Sequence, residues 1–315
     1  MKSLFPESRI PNPQSPSLAA PILAGLLSSG LFFIVFGVGL GFIFLFLPTL
    51  PLFYIGLGPR FAKLPLAMGV AAVTIAIVTG LPLMTMFLLF MGLPAWYIAK
   101  YSLLWRTTGS EQTWFPIGAI ILRLTLVGCA IISLVTLYYS GQPETLPQLL
   151  SQNIHETFAE LKGDYGDIID MLAGELSFLM FPVTIWLWAM ILYSHAWLMN
   201  RLLARRKQQI RPDYSIRPFT IPIWMLTLLV IAALASLIGS ESMSFLGKNM
   251  MLCLMLPYFF QGAALMHRAC KPIPSHRFFL FFVYFMVFSQ FWPALVLAGV
   301  GLWDQVKHLK QTPKT

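Results

Sequence analysis

Charge is what this sequence has least of. Only 10% of its 315 residues are Asp, Glu, Lys or Arg, against about 25% in an ordinary globular domain. With a mean hydropathy of +0.75, a water-soluble fold is excluded. Cysteine is almost absent, and Cys129, Cys253 and Cys270 have no paired spacing. That excludes a disulfide framework and a thiolate zinc site and leaves three small, buried apolar residues. Catalytic signatures are missing as well. His155-Glu156 opens HETFAEL with no second histidine four residues on, and no G-x-S-x-G elbow occurs. In GSESMSFLGKN seven residues separate Gly239 from Gly247-Lys248, where a phosphate loop has four, and Asn249 stands where Ser or Thr would hold magnesium. The expectation is therefore no enzyme and no ATPase of its own, with no catalytic residue, no metal and no cofactor. The net charge of +9 does not point to nucleic acid, because the basic residues sit in short loops between apolar runs.

Those runs dominate the chain. Uncharged stretches near 18–37, 42–58, 64–80, 82–99, 115–139, 176–198, 219–239, 249–267 and 278–303 each approach the roughly 20 apolar residues that cross a bilayer. The expected fold is all-α: a polytopic transmembrane helical bundle of eight to nine spans occupying 18–303. It is preceded by a disordered cytoplasmic tail at 1–17, rich in proline and not cleaved, and followed by a polar basic tail at 304–315. Residues 18–58 carry no charge, and splitting them at Gly37, Gly39 and Gly41 gives two spans. One tilted span plus a re-entrant segment is the alternative, which would put the N-terminus outside.

The loops agree on an orientation. An inside N-terminus keeps Arg60, Lys63, Lys100, Arg106, the basic loop 201–217, Arg268, Lys271 and Arg277 inside, so that 15 of the 21 basic residues are cytoplasmic. The segment 141–175, where seven acids face only Lys162, is then outside. Within it Leu146, Leu150, Ile154, Phe158, Leu161, Tyr165, Ile168 and Leu172 recur at helical spacing, which predicts an amphipathic helical segment on the outer face. Gly163 and Gly166 divide it, and GDYGD between them lacks the acid ligand pattern of an EF-hand, so its acids are read as capping and starting the second helix. Nine spans leave Lys307, Lys310 and Lys314 outside. The tail is read as an exception to the charge bias, with a re-entrant hairpin bent at Pro293 as the alternative.

Polar residues inside spans carry the remaining signal. Arg123 is read as the one ionisable residue well inside a span, its side chain snorkelling toward the cytoplasm. Asn249 and His267 lie five turns apart on one azimuth, and Pro257 frees the carbonyl of Cys253. In the next span Gln290, Trp292 and Pro293 repeat the combination of an amide near a proline. Two kinked helices side by side would line a pocket in which Tyr258, Gln261, Gln290 and Trp292 bind a neutral or zwitterionic ligand. The other reading is that each amide bonds a neighbouring helix while Gly262 permits close packing.

Asn249, then Pro257-Tyr258-Phe259-Phe260-Gln261-Gly262, then His267, and finally Gly301-Leu302-Trp303-Asp304 resemble landmarks of the uncharacterised YybS-like family of predicted bacterial membrane proteins. FLPTLPLFYIGLG (46–58) and GLPAWYIAK (92–100) resemble its earlier ones. The tail DQVKHLKQ departs from the family pattern, which continues with an aromatic, a second acid and an arginine. The family distantly resembles the substrate-capture subunits of energy-coupling-factor transporters. What the resemblance implies is a bacterial cytoplasmic-membrane protein that binds or transports a small solute. The alternative is a non-transporting scaffold that docks a membrane or cytoplasmic protein through the basic loop or the outer amphipathic helix. Its certain partner is the lipid bilayer.

Overall fold

The computed structural model describes residues 17–38, 44, 46–108, 111–142, 144–159, 162–216 and 219–311; the predicted N-terminal tail therefore lies outside the described residues apart from Ser17. Among those residues the fold is helical, in the order α1 Ala19–Val38, α2 Thr49–Gly56, α3 Leu64–Thr79, α4 Leu81–Phe87, α5 Leu93–Ser102, α6 Ile117–Ser140, α7 Leu146–Thr157, α8 Lys162–Arg205, α9 Ile223–Ile238, α10 Glu241–Leu254, α11 Leu256–Cys270, α12 His276–Ser289 and α13 Trp292–Gln311. One small hairpin departs from the all-α expectation. Strands β1 Trp105–Thr108 and β2 Glu111–Trp114 pair antiparallel, with Trp105 opposite Trp114. Its threonines and tryptophans favour extended backbone over helix.

Six helical stretches are long and apolar enough to cross a membrane: Ala19–Gly37, Phe61–Thr79, Leu81–Ser102, Ile117–Ser140, Ser177–Arg205 and Ser242–Cys270. The pair His276–Ser289 and Trp292–His308 makes a seventh if it is one broken span. Large apolar side chains stand in the open on these helices and on α9, Ile77 of α3 and Leu237 and Ile238 of α9 being about 80% exposed. Such surfaces suit hydrocarbon and not water. The chain is a multi-pass integral membrane protein.

Three expected spans look different in the structure. In 42–58 the regular element is α2, whose 8 residues rise only about 12 Å, too little to cross alone. In 249–267 the helix stops at Met255 and restarts with Pro257 in the first turn of α11, where a missing N–H is harmless. In 278–303 the chain bends by 114° between α12 and α13. Gln290 is extended there (φ −142°, ψ 125°), because Pro293 cannot continue the helical ladder. The expected 219–239 span is a 16-residue helix, Ile223–Ile238.

The described chain divides into two compact units, residues 1–120 with 187–215, and 121–186 with 216–315. In the first, α1 and α3 run parallel. A Cβ on Gly25 would meet the Ala67 carbonyl at 2.6 Å, and Lys63 Nζ donates to the Ser17 carbonyl at 3.1 Å, so both helices start at one end. The Gly80 turn (φ +87°) reverses the chain into α4, and a π-helical turn at Leu88–Gly92 joins it to α5. Such a turn disturbs the helical ladder, and the Trp188 indole N–H donates to the Phe90 carbonyl within it at 2.9 Å. Arg211, only 6% exposed, closes the same end. Its guanidinium donates to the carbonyls of Ser102 (3.1 Å), Phe115 (3.0 Å) and Asp213 (2.8 Å).

In the second unit α9 and α10 form an antiparallel hairpin around Gly247, whose missing Cβ lets it touch the backbone of Ser236 and Ala232. Helices α11 and α13 are held still closer. Gly262 lies against the Leu297 carbonyl and Gly301 against the Tyr258 carbonyl, leaving no room for a Cβ on either. Two small residues facing each other's backbone are how apolar helices gain contact area where no hydrophobic force separates helix from lipid. All three cysteines are buried and unbridged.

Candidate functional site

The residues singled out from the sequence do not converge on one pocket. Gln261 is 5% exposed and fully engaged. Its side-chain oxygen accepts from the Phe219 backbone N–H at 2.9 Å and its amide nitrogen donates to Asp304 Oδ2 at 2.8 Å. This is the helix-bonding arrangement. Gln290 instead lies exposed at the break between α12 and α13, its oxygen accepting the Trp292 indole N–H at 2.7 Å. It is separated from Asp304 by 14 residues of chain, about 20 Å if helical, so no shared pocket joins Gln290 and Trp292 to Gln261. Tyr258 is fully buried with its hydroxyl unpartnered among the described residues.

The other singled-out residues have local roles. Asn249 is buried and donates to the Phe245 carbonyl at 2.8 Å. His267 Nε2 and the Tyr284 hydroxyl are 2.8 Å apart. Pro257 starts α11, and the Leu252 carbonyl lies at the break before it. It takes the Trp186 indole N–H at 2.9 Å and the Met255 N–H at 3.2 Å. Asp304 also lies 3.6 Å from His308 one turn on. Arg123 is exposed on α6, and it is not the sole ionisable group within a span. His195, inside Ser177–Arg205, places Nδ1 2.8 Å from Thr49 Oγ1, which itself donates to the Phe46 carbonyl at 2.7 Å. Thr49 is therefore the acceptor, and the histidine carries its proton on Nδ1.

The concave site lies elsewhere in the second unit. An open cavity of about 610 Å³ lies between α7, α8 and α10, lined by Pro147, Gln148, Ser151, Gln152, His155, Gly174, Ser177, Phe178, Ser244, Phe245 and Lys248. Each helix contributes one face. Gln148, Ser151, Gln152 and His155 fall at spacings of three and four on α7, Gly174, Ser177 and Phe178 on α8, and Ser244, Phe245 and Lys248 on α10. Pro147 in the first turn pre-sets the backbone of α7, and the Gln148 side-chain oxygen accepts the Thr145 N–H at 2.9 Å, a bond that does not use its NH₂ donors. His155 joins α7 to α8, with Nδ1 2.8 Å from the Ser151 carbonyl and Nε2 2.8 Å from Asp170 Oδ1. Lys248 Nζ lies 5.5 Å from the centre of the Phe178 ring. Ser177 and Ser244 donate their protons to the Gly174 and Ser236 carbonyls, so their lone pairs remain as acceptors.

Sequence reasoning passed over this constellation although parts of it were in view. The apolar stripe of 146–172 is the signal for an amphipathic helix, and it is silent on what the polar residues opposite it face. Lys248 belonged to a failed phosphate-loop pattern. Nothing in the chain order says that residues 148–155, 174–178 and 244–248 meet.

Among families of known sequence, the one described as Predicted membrane protein (DUF2232) matches residues 26–305. No curated protein and no solved structure matches the chain.

Proposed function

This chain belongs to DUF2232, the YybS-like family of predicted bacterial membrane proteins, and from that premise we propose that it binds a small solute in the cavity between α7, α8 and α10. It acts as a binding or transport component, with no reaction or ATPase of its own. The observation that carries this reading is the cavity itself. Its volume of about 610 Å³ falls in the range of small-molecule sites, and it has the same make-up of aromatic wall and convergent polar groups. The likeness to energy-coupling-factor capture subunits points the same way, as an analogy of fold and not of chemistry.

The proposal includes an orientation. The end of the first unit that gathers Ser17, Lys63, Ser102, Arg206 and Arg211 is the cytoplasmic one by its excess of positive charge. In the second unit the same charge bias assigns the acidic segment 141–175, and the cavity with it, to the outer side. That α1 and α3 start at one and the same end supports a span count above the six regular ones. The polar face of α7 then lines the cavity and its apolar face meets the bilayer or the bundle. The scaffold alternative has less behind it. In the basic loop Arg211 is consumed internally and Arg206 donates to the Tyr54 hydroxyl at 3.2 Å.

Thermal unfolding of the detergent-purified protein against a panel of amino acids, nucleosides, sugars and organic acids tests the reading. At least one solute raises the apparent Tm, and Ser151→Trp, which fills the cavity, abolishes that shift. A panel without any shift, or a shift that survives Ser151→Trp, overturns it.

A further inference from the structure

We infer that the solute taken by this cavity is a small organic anion, a carboxylate or phosphate monoester, whose charge meets Lys248 and whose body lies on Phe178 and Phe245. The inference rests on the solute-binding reading above and narrows it.

Charge decides the class. Of the eleven residues that line the cavity, Lys248 is the one formal charge and none is acidic. Among the described residues no carboxylate pairs with Lys248. Asp170, one helical turn before Gly174 on α8, is turned onto His155 at 2.8 Å. Both ring nitrogens of that histidine face acceptors, the Ser151 carbonyl and the Asp170 carboxylate, so the two contacts are complete when both nitrogens carry protons. The cavity wall thus holds one cation without a carboxylate and a second ring whose partner lies outside it. A cationic solute would face Lys248 with no compensating acid among the described residues of the wall. It would also find the Phe178 ring already facing an ammonium.

Shape and hydrogen bonding narrow the anion further. A bare inorganic ion would leave most of about 610 Å³ unfilled, so the ligand has an organic body, and the two phenylalanines offer it an apolar surface. The Gln148 NH₂ is a neutral donor for the anionic head. The Ser177 and Ser244 oxygens, having donated their own protons, accept from hydroxyl or amine groups on the body. A free anion and an anionic lipid headgroup share this chemistry.

Matched pairs separate charge from body: adenosine 5′-monophosphate against adenosine, glycerol 3-phosphate against glycerol, and hippurate against its amide. Each is titrated by calorimetry into the full-length protein in zwitterionic nanodiscs. A second arm compares phosphatidylglycerol with phosphatidylcholine nanodiscs for Lys248-dependent stabilisation. At least one anion binds at least tenfold more tightly than its neutral partner. Lys248→Gln removes that tenfold, a loss of about 1.4 kcal/mol, while Lys248→Arg stays within threefold. A Lys248-dependent effect confined to phosphatidylglycerol upholds the anion and assigns it to a headgroup. Neutral solutes that bind as tightly as anions, or an anion indifferent to Lys248→Gln, overturn the inference, and leave the cavity reading intact if Ser151→Trp still blocks binding. Silence from every probe, or binding that survives both Ser151→Trp and Gln152→Trp, overturns both.

Discussion

At the scale of single residues, the amides and hydroxyls inside the helices divide into those that hold the fold and those that do not. Gln261 holds it. Replacing it by leucine leaves the Phe219 N–H without its acceptor and Asp304 without its donor, a loss of about 3 kcal/mol for two partly buried groups. Gln261→Leu should therefore lower the apparent Tm in detergent by several degrees. Tyr258 behaves oppositely, since its hydroxyl is buried with no partner among the described residues. Tyr258→Phe should leave the Tm unchanged or raise it, because removing an unsatisfied polar group removes a penalty. The same scale holds a pH response outside the spans. Burial pushes the Tyr214 phenol from about 10 up to about 12, against the opposing pull of the Ser102 hydroxyl and the Arg211 charge. A phenol whose value is higher in the folded state keeps its full stabilising contribution below pH 10 and loses it as pH rises through 12. Chemical denaturation should show stability declining across that window, and Tyr214→Phe should flatten the decline.

Among elements, proline and glycine set where helices begin and how closely they lie. Helices α3, α4, α5, α7 and α11 all carry proline in their first turn, so most of the prolines that look like breakers within apolar runs are starts. The α11–α13 pair depends on two missing side chains. Gly262→Ala would drive a methyl into the Leu297 carbonyl, which is backbone and cannot rotate away. Overpacking of this kind costs about 1–3 kcal/mol, and here it also strains the Gln261–Asp304 bond one residue along. A destabilisation of that size by Gly262→Ala, matched by Gly301→Ala and absent for Gly299→Ala, which meets open space, should appear in parallel melts. Equal effects at all three positions would show that helix propensity, and not close approach, is the cause.

For the whole molecule, membrane sidedness follows from charge, and burial makes it easy to test. The three native cysteines are all buried and should stay silent toward a membrane-impermeant maleimide. In intact spheroplasts Glu144→Cys should then label and Arg205→Cys should not, the order reversing in inside-out vesicles. Labelling of both positions from one side would overturn the proposed orientation and, with it, the placement of the cavity on the outer face.

Much of this was legible in the chain. Membrane class follows from composition, because a sequence with 10% charge cannot hydrate the surface its helices present. The sequence leaves two readings open for Gln261, ligand or helix, and its bonds to the Phe219 N–H and Asp304 are contacts that only packing provides. Sequence could not show that α1 and α3 are parallel, that α12 and α13 bend by 114°, or that Thr49 reaches His195 across 146 residues. Hydropathy counts apolar length, which is a local sum. The cavity escaped for the same reason. A polar stripe on α7 looks the same whether it faces water or two other helices, and the difference lies in contacts between residues 148 and 248, which no local pattern encodes. Composition and periodicity determined that the chain lives in a bilayer as helices, since burying backbone polar groups in hydrocarbon leaves no other local choice. Which polar groups meet one another and which line a cavity was decided by tertiary packing alone, because each needs partners from distant segments held at hydrogen-bonding distance.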